Sequence, residues 1–139
     1  KIKEGDLFYC LRGATIGKTA FVVPYKQGAV ASSLVIIRPE SAINGKYLYY
    51  FLISSFGQKL IKRFDNGAAQ PNLGANSVKM YITPLPPLSE QVVISEKLDE
   101  IACKVQSLET INEQKLTALN ELKQSILQKA FTGQLTRDN

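Results

Sequence analysis

The chain has no histidine, no tryptophan, one methionine and only two cysteines among its 139 residues. Without histidine there is no Ser-His-Asp or Cys-His nucleophile and no imidazole-ligated metal. Two cysteines cannot supply a four-thiolate zinc site. Hydrolytic or metal chemistry would have to rest on carboxylates alone, and these are sparse and scattered through the first part of the chain. Neither catalytic residues nor metal ligands are therefore expected. Long apolar runs are missing too. None approaches the ~18 residues that a membrane helix needs, and the opening Lys1-Ile2-Lys3-Glu4 lacks a signal-peptide pattern. Cys10 and Cys103 lie far apart in sequence. Two buried free thiols suit a cytosolic protein, with a disulfide as the alternative.

What is present suffices for a packed core in about one domain, with 45% hydrophobic and 21% charged residues. The charge is uneven. Residues 1–88 hold eleven Lys and Arg against four Asp and Glu, whereas residues 89–139 hold six against eight. The head thus carries a surplus of seven positive charges, and eleven of the twelve aromatics lie in it, Phe131 being the exception. The junction is Pro84-Leu85-Pro86-Pro87-Leu88.

After the prolines, Ser89 is placed to cap a helix and Glu90 to sit at its positive end. No Pro or Gly follows until Gly133, so residues 89–131 read as helix, 43 residues and about 65 Å if continuous. Ile94, Leu98, Ile101, Val105 and Leu108, then Leu119, Leu122 and Ile126, alternate by four and three, which makes a heptad seam needing a second helix. Extending the register puts Asn112 at an a position and Lys115 at a d position. That imperfection is a local shift of the stripe, a break between two helices, an Asn that fixes register, or an Asn that faces solvent.

The head reads as short strands mixed with helices. Leu7–Leu11, Thr19–Val23, Ala29–Ile37 and Lys79–Thr83 have strand composition. Lys46–Phe64 is amphipathic and helical, with an interruption expected near Gly57. Arg12–Lys18 and Asp65–Asn72 are loops. The order of elements predicts an α+β fold, a small mixed α/β domain followed by one long helix.

Gly13-Ala14-Thr15-Ile16-Gly17-Lys18-Thr19 comes near a phosphate-binding P-loop but has three residues between its glycines where four are required, and a strand rather than a helix is expected after the lysine. As a nucleic-acid contact the same loop makes better sense. Its glycines let the main chain approach closely, while Arg12, Thr15 and Lys18 offer donors to phosphate or base edges. A surface hairpin using the glycines only for turn geometry explains it equally well. In the next loop Asn66, Gln70, Asn72 and Asn76 carry amides that suit base edges and are also ordinary loop residues. Lys59, Lys62 and Arg63 form a basic patch, either on phosphates or on a solvated helix face. Tyr47, Tyr49 and Tyr50 have the spacing of a half-buried helix, which favours core packing over base stacking.

Several segments together are distinctive. Gly5-Asp6-Leu7 followed by Arg12–Lys18, then Ala69-Gln70-Pro71-Asn72-Leu73, then Ile82–Gln91 with its proline-rich lead-in to a Glu-Gln helix start, and finally Leu127–Thr136, occur in this order over nearly the whole chain. The ordered set resembles the specificity subunits of Type I restriction–modification systems. The resemblance implies a non-catalytic protein of the bacterial or archaeal cytoplasm. Residues 1–88 would be part of a target recognition domain that reads one half of a split double-stranded DNA target. Residues 89–139 would be a long helix for spacing, dimerisation and methyltransferase docking, packed antiparallel against an equivalent helix. The implied partners are a DNA adenine methyltransferase subunit, an ATP-dependent endonuclease subunit, and a second recognition domain or a second copy of the chain. S-adenosylmethionine and ATP would be bound by those partners and no cofactor by this chain. The implied DNA-contacting residues are Arg12, Thr15, Lys18, Lys62, Arg63, Asn66, Gln70 and Asn72, with the heptad positions and Asn112 as the helix interface. The chain reads as starting midway through a recognition domain. A coiled-coil adaptor without DNA affinity is the rival reading, and a nucleotide-dependent enzyme built on the near-P-loop is a third.

Overall fold

The computed structural model describes residues 2–22, 30–64 and 72–135. Three short strands form an antiparallel sheet in the order β2-β1-β3, with β1 at Leu7–Cys10, β2 at Thr19–Phe21 and β3 at Leu34–Ile37. Leu7 and Tyr9 are fully buried and Leu11 nearly so, the period-two pattern of a strand with one covered face. Helix α1, Gly45–Ile53, lays Leu48 and Leu52 on that face, one turn apart. Ile61 from α2, Ser55–Phe64, and Leu73 complete the core. A short helix α3, Ala75–Lys79, precedes the long helix α4, Leu88–Phe131. The fold is thus mixed α/β with a small sheet and a long C-terminal helix, as the order of elements predicts.

Several boundaries differ from the sequence expectation, each for a local reason. The expected interruption is present, and it falls at Ser54, just before Gly57. Ser54 takes an extended backbone, its hydroxyl donates to the Phe51 carbonyl at 2.7 Å and accepts from the Gly57 amide at 3.2 Å, and so it ends one helix and starts the next. Gly57 is buried in the first turn of α2, and a Cβ there would lie 2.4 Å from the Phe51 carbonyl oxygen. The glycine permits close packing of the two helices rather than a break. Strand β3 is shorter than Ala29–Ile37. The Leu34 amide turns back onto the Ala31 carbonyl, and Ala29, like Val23, lies outside the described residues.

No strand forms at Lys79–Thr83. Lys79 closes α3 and the Tyr81 amide bonds the Val78 carbonyl. The Tyr81 ring lies edge-on to Tyr9 and tilted against Phe64, while Ile82 is exposed. Its alternation in and out is that of an extended segment without a ladder. The long helix starts at Leu88, with the Pro87 carbonyl accepting from the amides of Glu90 and Gln91, so Ser89 lies inside the first turn and is not the cap. No break occurs at Asn112–Lys115, because α4 is continuous through them. It stops as predicted at Gly133 (φ +71°), with Gln134 N–H on the Lys129 carbonyl and Gly133 N–H on that of Ala130, the paired bonds of a Schellman terminus.

Two compact units emerge, Lys1–Leu98 and Asp99–Asn139. In the first, the opening turns of α4 are held by Gln91 and Ser95, both buried. The Gln91 side-chain oxygen accepts from the Asn44 amide (2.8 Å), and its nitrogen donates to the carbonyls of Pro86 (2.8 Å) and Ala42 (3.2 Å). In the second unit every described residue from Glu100 onward is exposed, including the seam positions Ile101, Val105, Leu108, Leu119, Leu122 and Ile126. Cys103 lies in this stretch and is exposed and free, which corrects the expectation of two buried thiols; Cys10 is buried and free. Among the described residues, no helix is long and apolar enough to cross a membrane.

Asp6 is almost wholly buried at the foot of β1. Its carboxylate accepts a forked pair from Arg38, Nε to Oδ1 at 2.8 Å and a terminal nitrogen to Oδ2 at 2.7 Å, with the Lys3 amide also on Oδ2. The Arg38 hydrogen bonds, against the opposing cost of burial, hold the Asp6 carboxyl below its ordinary range. A depressed carboxyl contributes stability that is fully present above the ordinary carboxyl pKa and disappears as pH falls through the lowered value. Asp6→Asn is therefore expected to flatten the acid limb of stability, followed by urea unfolding from about pH 6 to about pH 2. An unchanged acid limb would contradict this role. Arg38→Ala, which strands the buried carboxylate, is expected to destabilise more at neutral pH than Asp6→Asn does.

Candidate functional site

The glycine loop is a hairpin anchored on β1. The Cys10 amide bonds the Lys18 carbonyl and the Gly17 amide bonds the Cys10 carbonyl, both at 2.9 Å. Between them Gly13–Thr15 makes one 3-10 turn, with Ile16 N–H on Gly13 and Lys18 N–H on Thr15. Gly13 and Gly17 have φ of +77° and +79°, a region closed to most side chains, so the hairpin needs glycine at both corners. Beneath it the Cys10 thiol lies 3.2 Å from the Thr15 hydroxyl and 3.4 Å from the Arg12 carbonyl. Cys10 is buried against the hairpin, while Arg12, Thr15 and Lys18 are exposed. Thr19 begins a strand, so no helix N-terminus follows the lysine as a P-loop would require.

The hairpin rests on α2. A Cβ on Gly17 would lie 2.2 Å from Ile61 Cδ1 and 2.9 Å from Gln58 Oε1. The Gln58 amide nitrogen reaches the Gly17 carbonyl at 3.4 Å and the Leu52 carbonyl, at the end of α1, at 3.0 Å. Lys62 and Arg63 are exposed near the C-terminal end of α2, Arg63 within 6.0 Å of the Phe64 ring centre, and Lys59 sits 5.7 Å from that of Phe56.

At Asn72 the chain lies against the hairpin. Asn72 forms an isolated antiparallel bridge with Arg12, and the Leu73 amide donates to the Leu11 carbonyl at 2.9 Å. Leu73 is buried beneath the bridge, while Arg12 and Asn72 are both exposed. The fold thereby joins two candidate residues sixty positions apart in sequence. Asn66 and Gln70 lie outside the described residues; Asn76 is exposed on α3. The tyrosines have structural contacts: Tyr49 packs on the core and against Phe21, and the Tyr47 hydroxyl donates to the Pro84 carbonyl. The first two seam residues, Ile94 and Leu98, line an open apolar groove of about 430 Å³ with Tyr47, Tyr50, Phe51 and Ile53. Among the described residues no cluster of three or more His, Cys, Asp or Glu could hold a metal ion.

Sequence reasoning missed Gln58, Arg38 and the buried role of Gln91. The only signal for Gln91 was its place in the proline-rich segment already singled out as distinctive.

Residues 1–121 match the Type I restriction modification DNA specificity domain. The chain belongs to this family. It is 35% identical to the Type I restriction enzyme StySPI specificity subunit of Salmonella potsdam over 142 aligned residues, covering 98% of this chain and 30% of that subunit. The EcoKI specificity subunit of Escherichia coli strain K12 is 34% identical over 101 residues, 73% of this chain and 22% of that subunit. A solved structure described as the basis of complex assembly and conformational transition of the type I R-M system superposes with a TM-score of 0.80 at 26% identity, over 96% of this chain and 32% of that one. This specificity-domain chain therefore spans about a third or less of the length of the relatives it matches. Its glycine hairpin and its Gln91 staple lie within the matched region.

Proposed function

We propose that the chain is a DNA-reading part of a Type I specificity subunit, in which the head recognises one half of a split target and the helix spaces and assembles the complex. The observation that carries this reading is the Arg12–Asn72 bridge, which pairs an exposed cationic residue with an exposed amide residue in a head with seven surplus positive charges. Guanidinium and carboxamide groups are the side chains that pair bidentately with purine edges, and the surrounding cations suit phosphates. Thr15 and Lys18 on the hairpin and the exposed Lys62 and Arg63 of α2 are the further candidate contacts; Asn66 and Gln70, outside the described residues, remain candidates from the sequence alone. The role is binding and positioning, without catalysis. Adenine methylation with S-adenosylmethionine and ATP-driven cleavage would belong to partner subunits in the bacterial or archaeal cytoplasm.

The exposed apolar stripe along α4 supports the assembly half of the proposal, because an isolated helix leaves such a seam in water. Its 44 residues correspond to about 66 Å, comparable to two turns of DNA at ~34 Å each.

In the intact subunit assembled with its methyltransferase, Arg12→Ala with Lys18→Ala is expected to weaken cognate DNA binding roughly 10- to 100-fold. The slope of log affinity against log salt should become shallower by about 1 to 2, since each phosphate that is no longer neutralised reduces it by about 0.9. Fluorescence anisotropy across a salt series measures both. Unchanged affinity and slope would remove the hairpin from the interface, and absence of any DNA binding by the unmutated assembly would favour the adaptor reading.

A further inference from the structure

We infer that Arg12 and Asn72 act as one coupled reading unit, addressing neighbouring base pairs of the target; the inference rests on the DNA-reading role proposed above and assigns its division of labour. The bridge between them has a definite hydrogen-bond pattern. The Leu73 amide bonds the Leu11 carbonyl, so the residue after Asn72 donates to the residue before Arg12. In an antiparallel pair this makes Arg12 and Asn72 a non-hydrogen-bonded pair, the type whose Cα atoms approach to about 4.5 Å and whose side chains leave the same face about 5 Å apart. Stacked base pairs repeat about every 3.4 Å along the duplex axis. A root spacing of about 5 Å is comparable to that rise and suits contacts to neighbouring base pairs.

The footing of the pair is rigid, although both tips are exposed. Leu11 and Leu73, the residues either side of the bridge, are buried in the core. Leu11 also receives the chain before β3, its amide donating to the Ser33 carbonyl at 2.8 Å. On the far side of the hairpin, Gln58 and Ile61 fix Gly17. A displacement of either loop at the bridge therefore carries the other reading residue with it. The chemistries complement each other: a forked cation suited to the two acceptors of guanine, and a carboxamide suited to the acceptor and donor of adenine.

The test is a double-mutant cycle in the intact subunit assembled with its methyltransferase, using Arg12→Ala, Asn72→Ala and the pair. Binding is read by anisotropy on the cognate duplex and on duplexes carrying each single base-pair change. Equal melting temperatures serve as the control, since both side chains are exposed. Each single variant is expected to weaken cognate binding roughly 10-fold or more. The double variant should weaken binding by at least about 5-fold less than the product of the two singles, and discrimination should relax at two adjacent target positions. Multiplicative effects, or relaxed positions that are not adjacent, would overturn the coupled unit. So would a silent Asn72→Ala alongside a weakened Arg12→Ala, which leaves the hairpin in the interface but removes its partner. If the Arg12→Ala, Lys18→Ala variant also binds normally, the hairpin reading falls together with the inference.

Discussion

Gln91→Leu is expected to lower the unfolding free energy by about 3 kcal/mol. Gln91 is wholly buried and each of its polar groups is used: the oxygen by the Asn44 amide, the two N–H groups by the carbonyls of Ala42 and Pro86. Leucine would leave three backbone groups without their partner, at about 1–3 kcal/mol each where water cannot reach. Ala42 is exposed and Asn44 and Pro86 are half-buried, so the lower end applies to each. Glutamate is expected to be worse, because it keeps only the acceptor and buries a charge without a cationic partner. Urea unfolding of the purified chain measures both. A decrease below about 1 kcal/mol for Gln91→Leu would mean that the staple is incidental.

The hairpin gives an effect of similar size from a different cause. Gly17→Ala is expected to cost about 3 kcal/mol, combining ~1–2 for a side chain at positive φ with ~1–3 for an overpacked contact. The contact is the 2.2 Å approach of the new Cβ to Ile61 Cδ1, and Ile61 is itself buried. Gly5 and Gly133 separate the two effects, since both have positive φ and no atom within 4 Å of a new Cβ. Alanine at either is expected to cost only about 1 kcal/mol. Ile61→Val removes the clashing methyl, so it should rescue Gly17→Ala by about 1 kcal/mol in a double-mutant cycle. Strict additivity of the two changes would show that the hairpin does not rest on α2 as described.

The parts of this fold that are legible in sequence are those set by short-range rules. The period of two at Leu7, Tyr9 and Leu11 marks a strand with one buried face, and the stretch free of proline and glycine before Gly133 marks the long helix and its stop. Where two local explanations compete, sequence does not decide between them. Ser54 and Gly57 both disrupt helices on propensity, but only the geometry shows the serine capping both helices while the glycine fits between them. Tyr81 has strand propensity, yet its ring is taken up by Tyr9 and Phe64, and the prolines that follow lack amides for a ladder. Cys103 is apolar enough to suggest burial and instead lies on an exposed stretch of α4. Of the candidate site, the hairpin is legible from its glycines. Its pairing with Asn72 is not, because nothing in either loop encodes a contact across sixty residues.

A map of methylated adenines across the genome of the host, with and without the intact gene, tests the central claim most directly. The account predicts that deletion abolishes methylation at one split motif, and that restoring the gene with Arg12→Ala and Lys18→Ala leaves that motif undermethylated. An unchanged map in cells that express the partner methyltransferase would contradict the claim that this chain takes part in choosing the DNA sequence.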